Sequence, residues 1–142
     1  MRALFDVNAL LALFDPDHTF HRRARAWWST NQKAGWATCP LTQNGFVRIM
    51  SQPSYSQDGS IAYAAALLQA GIEQAGHAFW PDDIAMADRS VFDHSRILGP
   101  KQVTDVYLLA LAVRHEGRLV TFDRGIPLAA VHGAKSRNLV VL

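Results

Sequence analysis

The sequence predicts an α/β domain in which helices cover both faces of a mostly parallel sheet of about five strands. Three observations carry that expectation. Short apolar runs alternate with helical periodicities from one end of the chain to the other. Two of those runs, Leu4-Phe5 before Asp6 and Leu119–Phe122 before Asp123, end directly in an acid. That is the form of a buried strand delivering a carboxylate to the edge of a sheet where ligands of α/β proteins bind. Finally, 142 residues, 49% of them hydrophobic and 18% charged, suffice to bury a core. No repeat, low-complexity tract or linker divides the chain, so residues 1–142 are expected to form one domain.

Taken in order, the first strand stops at Asp6 and Ala9–Phe14 reads as a short helix. Asp15-Pro16-Asp17 ends it, because proline fixes φ and lacks an amide hydrogen. His18–Thr30 reads as a helix with Phe20, Ala24, Trp27 and Trp28 inward and Arg22, Arg23 and Arg25 pointing elsewhere. Gly35–Cys39 is a strand closed by Pro40, and Thr42 is the N-cap candidate of the next helix, Thr42–Met50. Gln43, Phe46, Val47 and Met50 share one face of that helix, which puts an amide at the inner side of its first turn. Ser51–Gly59, which contains Pro53, Tyr55 and Asp58, is the longest loop-like stretch. Ser60–Ala75 is an alanine- and leucine-rich helix ended by Gly76, and His77–Trp80 is a third strand stopped by Pro81. A short helix is expected over Asp88–Leu98, broken by Gly99-Pro100. Thr104 is the next N-cap candidate, ahead of a helix with Val106, Leu109, Ala110 and Val113 on its apolar face and Asp105 at its start. That helix ends at Gly117; Arg118–Phe122 and Asn138–Leu142 are the last two strands.

Composition narrows the function. The single cysteine, Cys39, excludes an intramolecular disulfide and a multi-cysteine zinc site, which suits a reducing compartment. Asp6 interrupts the apolar N-terminus before a secretory signal could form, and no uncharged run reaches the roughly 18 residues needed to span a bilayer. A cytoplasmic protein without a membrane partner is expected. The net charge of +2 permits a polyanionic partner without demanding one.

The chemistry lies in the aspartates. If the strands are parallel neighbours, Asp6 and Asp123 at strand ends and Asp105 at a helix start reach the same carboxyl edge. Three converging carboxylates repel and raise each other's pKa until a cation joins them. Oxygen-only donors favour Mg²⁺ or Mn²⁺ over zinc, and such ions suit phosphodiester hydrolysis. Aspartate is also a common cap and turn residue, a reading that applies to Asp105 and Asp123. Asp6 is different, because a carboxylate directly after a buried strand is costly without a partner.

These residues carry a resemblance. L-F-D-V-N-A at 4–9, T-Q-N-G-F-V-R at 42–48, T-D-V-Y-L-L-A-L-A at 104–112 and T-F-D-R-G at 121–125, in that order and spacing, resemble PIN-domain ribonucleases of the VapC toxin type over essentially the whole chain. The resemblance implies a PIN-like three-layer α/β/α sandwich and a divalent-metal endoribonuclease, the toxin of a toxin–antitoxin pair. It also implies neutralisation by a VapB-type antitoxin, a homodimer, and products with a 5′-phosphate and a 3′-hydroxyl. Carried over position by position, the metal ligands are Asp6, Asp105 and Asp123, with Asn8 and Thr121 in support. Gln43 stands at a catalytic position where the family commonly has glutamate, and an amide brings no negative charge. Arg124, beside Asp123, is placed either to meet a phosphate or as a solvated turn residue.

Other features read more plainly. His18 and His21, near Asp15 and Asp17, form a solvated helix start, since no further ligands of matching spacing follow. Arg22, Arg23 and Arg25 are a solvated face or a track for RNA or an acidic antitoxin segment. Trp27, Trp28, Trp36 and Trp80 belong to a core or interface, with base stacking the minority reading. Arg48 reaches an inner carboxylate or lies outside. Two functions compete with the nuclease. One is a PIN-like module that binds RNA or antitoxin without cutting, for which Gln43 is the argument. The other is a phosphatase of the haloacid-dehalogenase type, which would need an acid where Asn8 stands.

Overall fold

A computed structural model describes residues 1–57 and 59–142, so Asp58, within the expected loop, lies outside the described residues. Strands β1 (Ala3–Phe5), β2 (Trp36–Thr38), β3 (His77–Phe79), β4 (Arg118–Thr121) and β5 (Leu139–Val141) form one sheet in the order β3-β2-β1-β4-β5. Every neighbouring pair is parallel, in registers such as Leu4 opposite Ala37 and Phe5 opposite Val120.

Side chains alternate across the central strands, and each face has its own core. Ala3, Phe5 and Val120 pack against α1 (Val7–Phe14), α2 (His21–Asn31), α3 (Pro40–Met50) and α4 (Ile61–Ile72). Leu4 and Leu119 face the other way, against α5 (Val103–Arg114) and the segments that carry Trp80, Ile84, Phe92, Ile126 and Val131. The result is the expected α/β/α sandwich. Helix α5 is buried along the whole run Val106–Ala112, as a helix covered by both sheet and loops must be.

Five expectations need correction. Helix α1 starts at Val7, because the Asp6 carboxylate accepts from Ala9 N at 2.8 Å and so acts as its N-cap. Thr42 is not the cap of α3, since Pro40 takes the first helical position and Cys39 the cap position. The Thr42 hydroxyl reaches back to accept from Cys39 N, and the distant Asp82 carboxylate accepts from Leu41 N, both at 3.0 Å. Likewise α5 begins at Val103 after a tight turn over Pro100–Gln102, leaving Thr104 inside the helix. Asp88–Leu98 is mostly turn, with one tight helical turn at His94–Arg96. Asp88 and Asp93 each take the hydroxyl and the amide of the serine two residues on, which competes with the helical ladder. Helix α2 also starts later than expected, so Phe20 lies outside it and is 37% exposed rather than inward.

A candidate active site at the carboxyl edge of the sheet

Strands β1 and β4 are neighbours, yet the chain reaches β2 from β1 on one side and β5 from β4 on the other. The sheet order reverses between β1 and β4, which opens a crevice at their carboxyl ends. Asp6 leaves β1 there and Asp123 follows β4, while Asp105 sits in the first turn of α5, the helix leading into β4. All three line one cleft of about 280 Å³, together with Asn8, Thr104 and Phe122.

Asp6 is 6% exposed and rigidly held. One carboxylate oxygen caps α1 and the other accepts from the Thr121 hydroxyl, whose oxygen in turn accepts from Asp123 N at 2.9 Å. A single threonine therefore ties the two strand-end acids together. Burial pushes the Asp6 carboxyl up; the Thr121 and Ala9 hydrogen bonds pull it back, and the Asp123 charge pushes it further. Asp105 is pushed up to about 6, mainly by burial and then by the charges of Asp6 and Asp123. Asp123 is exposed at the mouth, where its Oδ1 accepts from Gly125 N at 2.7 Å.

The acids face one cleft without closing on a point. Among the described residues no group of three His, Cys, Asp or Glu side chains stands close enough to hold a metal ion. In kind the donors fit a hard divalent cation: they are oxygen-only, the charges of Asp6 and Asp123 push the Asp105 carboxyl up, and no lysine or arginine lines the cleft to neutralise them.

The other predicted residues divide. Asn8 is in the cleft wall, and Thr121 lies fully buried behind it. Arg124 is exposed beside the mouth, and Arg48 is exposed on α3. Gln43 is not brought to the acids. It lines a separate hollow between α3 and α4 with Val47, Leu68 and Ile72, and its Nε2 donates to Thr38 Oγ1 at 2.9 Å. Phe122 and Thr104 are cleft residues that sequence reasoning passed over, although each adjoins a singled-out aspartate. His18 gained a role that its spacing did not suggest, since its Nε2 lies 3.0 Å from Asn8 Oδ1.

The PIN domain family model matches residues 3–131. Ribonuclease VapC44 of Mycobacterium tuberculosis is 54% identical over 142 residues, spanning all of both chains. The chain belongs to the PIN-domain family of VapC ribonucleases. Ribonuclease VapC39 of the same organism is 44% identical over 134 residues, 94% of this chain and 96% of its own. The crystal structure of VapBC2 from Rickettsia felis, bound to a DNA fragment from their promoter, has the same fold. Its TM-score is 0.57 at 11% identity, over 100% of this chain and 98% of that one. Membership in the VapC family displaces the phosphatase alternative.

Proposed function

We propose that the acid cleft hydrolyses RNA phosphodiester bonds with the help of Mg²⁺ or Mn²⁺, and that the chain is the toxin of a VapBC-type pair. The observation that carries this is the delivery of Asp6, Asp105 and Asp123 from β1, α5 and β4 into one cleft that no lysine or arginine lines. Kinship with the VapC ribonucleases makes the chain a phosphodiester-hydrolysing enzyme of the toxin type.

In this reading Asp6, Asp105 and Asp123 would hold the ion, and residues 1–142 act as a single nuclease unit. When bound, a divalent cation supplies Lewis acidity toward a phosphoryl oxygen and lowers the pKa of an attacking water. The chain supplies the rest. Asp6 is fixed by α1 and Thr121, so it is preorganised. Asp105 keeps its proton up to about pH 6 in the unliganded cleft and would give it up on joining the ion. Asn8 has its Oδ1 engaged by His18, which leaves its amide N–H groups for a phosphate oxygen. Arg124 meets a flanking phosphate at the mouth. Single-stranded or looped RNA is the substrate form that can present its backbone to a recessed site.

Gln43 enters with its Nε2 held by Thr38, which leaves its Oε1 as the atom it could offer. A VapB-type antitoxin, a homodimer and a cytoplasmic setting complete the reading. Among the described residues no helix is long and apolar enough to cross a membrane.

The test is cleavage of single-stranded RNA with Mn²⁺ by the unsubstituted chain and by Asp6→Asn. The substitution is expected to cost on the order of 100-fold or more. Equal cutting by both assigns the activity to a contaminant and removes Asp6 from the site. Saturable Mn²⁺ binding that is lost in Asp6→Asn would favour catalysis, whereas no Mn²⁺ binding at millimolar levels would favour the binding module instead.

A further inference from the structure

Beside the acid cleft the chain keeps a large aromatic ring in water. Phe122 follows β4 and forms part of the cleft wall. Its ring stacks on that of Phe20, with centroids 4.8 Å apart and planes 29° apart. Phe20 is a large apolar residue left 37% exposed, just outside α2. The guanidinium of Arg23, itself exposed, lies over the Phe20 ring at 5.2 Å from its centroid.

This arrangement is anchored to the site. The Phe20 backbone N–H donates to His18 Nδ1 at 3.0 Å, so that nitrogen is an acceptor and the imidazole proton is on Nε2. Nε2 then donates to Asn8 Oδ1 at 3.0 Å, and Asn8 belongs to the cleft wall. Two paths, Phe122 by stacking and Asn8 through His18, thus fix Phe20 against the cleft. The tryptophans considered for stacking are committed elsewhere: Trp36 and Trp80 are buried, and Trp27 and Trp28 pack edge-on against Phe5.

We propose that Phe20, backed on one face by Phe122, is a stacking platform for one nucleobase of the RNA strand whose phosphate occupies the acid cleft, the base entering between the Phe20 ring and the exposed, flexible Arg23 guanidinium that now lies over it. The inference rests on the ribonuclease reading and adds a positioning subsite to it. The chemistry matches a base better than a peptide side chain. Aromatic rings and guanidinium planes are the two surfaces on which splayed RNA bases stack, and the cation also offsets the adjacent phosphate. A site walled by carboxylates needs such a handle, because phosphate contacts alone would meet repulsion before an ion is bound.

The experiment uses the full chain with Mn²⁺ and an end-labelled single-stranded RNA that it cuts at one position. A matched series carries an abasic ribose at each position flanking the cut, and cleavage is followed under single-turnover conditions. Phe20→Ala is expected to raise the RNA concentration for half-saturation about 5- to 100-fold, the range of one base–aromatic stack, and to change the saturating rate little. Phe20→Trp should restore it. One abasic position should cost the unsubstituted chain the same factor and cost Phe20→Ala nothing further. Phe20→Leu, which still covers Phe122 but has no π face, is expected to behave like Phe20→Ala and stands in if the alanine variant does not fold. Half-saturation and abasic penalties equal to wild type in Phe20→Leu would overturn the platform and leave the patch to a protein partner. If the chain cuts and Asp6→Asn does not, that result removes the platform alone. If the unsubstituted chain cuts no RNA, the ribonuclease reading falls and takes the platform with it.

Discussion

Asp105 shows at the scale of one residue what gathering acids in the cleft costs in stability. In the unfolded chain its carboxyl gives up its proton near the ordinary 3.8, whereas in the folded chain burial and the neighbouring acids hold the proton to about 6. Between those values the folded state binds more protons than the unfolded one, so this group subtracts stability as pH rises through that window. Above about 6 the loss is complete and stays constant. In the proposed site a divalent cation would reverse the sign by pairing with the ionised form, and its binding would displace the remaining proton below that pH. Mn²⁺ is therefore expected to raise the melting temperature clearly at pH 7.5 and little at pH 5. Asp105→Asn should melt higher than wild type at pH 7.5 without metal and gain nothing from Mn²⁺. Thermal melts of the two proteins with and without Mn²⁺ check this. An Asn variant that melts lower than wild type in metal-free buffer would show that Asp105 is a structural acid.

At the scale of elements, the position of α3 against α1 is set by Gly45. A methyl group there would lie 2.5 Å from Val7 Cγ2, in the first turn of α1 and one residue from Asp6. Alanine is the better helix former by about 1 kcal/mol, yet overpacking against a β-branched neighbour costs about 1–3 kcal/mol, so crowding wins. Gly45→Ala should destabilise the protein and disturb the cleft, and Gly45→Ala with Val7→Ala should recover most of both. Urea unfolding of the three variants measures it; a stabilising single substitution would mean that Val7 yields freely. Such a glycine is silent in sequence because its partner is a different helix. The same holds for caps. Ser60 was legible as the start of α4, since its hydroxyl accepts from Tyr63 N three residues on, a purely local bond. The start of α3 was misread because part of its cap comes from Asp82, far along the chain. Asp88–Leu98 misled in the opposite way: its spacing suggests a helix, but two aspartate–serine turns claim the amides.

The whole molecule explains why the three acids share one cleft and Gln43 lines another hollow. Asp6, Asp105 and Asp123 follow directly from the order of a parallel sheet, because each stands where a strand ends or a helix begins at its carboxyl edge. Periodicity placed Gln43 on the inner face of α3 correctly, but that face looks onto β2 and α4, where Thr38 takes its amide. Phe20 was misplaced for a related reason: its exposure depends on where α2 begins relative to β4, a tertiary fact. The three acids come from segments far apart in sequence that meet only at the sheet reversal, so an ion held by them would clamp β1, β4 and the start of α5 together. Binding stabilises the states that keep its ligands together and suppresses local openings that separate them. In hydrogen exchange, Mn²⁺ is therefore expected to slow amides that exchange by local opening around Asp6–Ala9, Thr121–Gly125 and the first turn of α5. Helix α4 and edge strand β3, which contribute nothing to the cleft, should exchange at unchanged rates. The pattern should vanish in Asp6→Asn. Protection centred instead on α3 and β3 would place the ion near Asp82 and Cys39 and detach the metal from the sheet reversal.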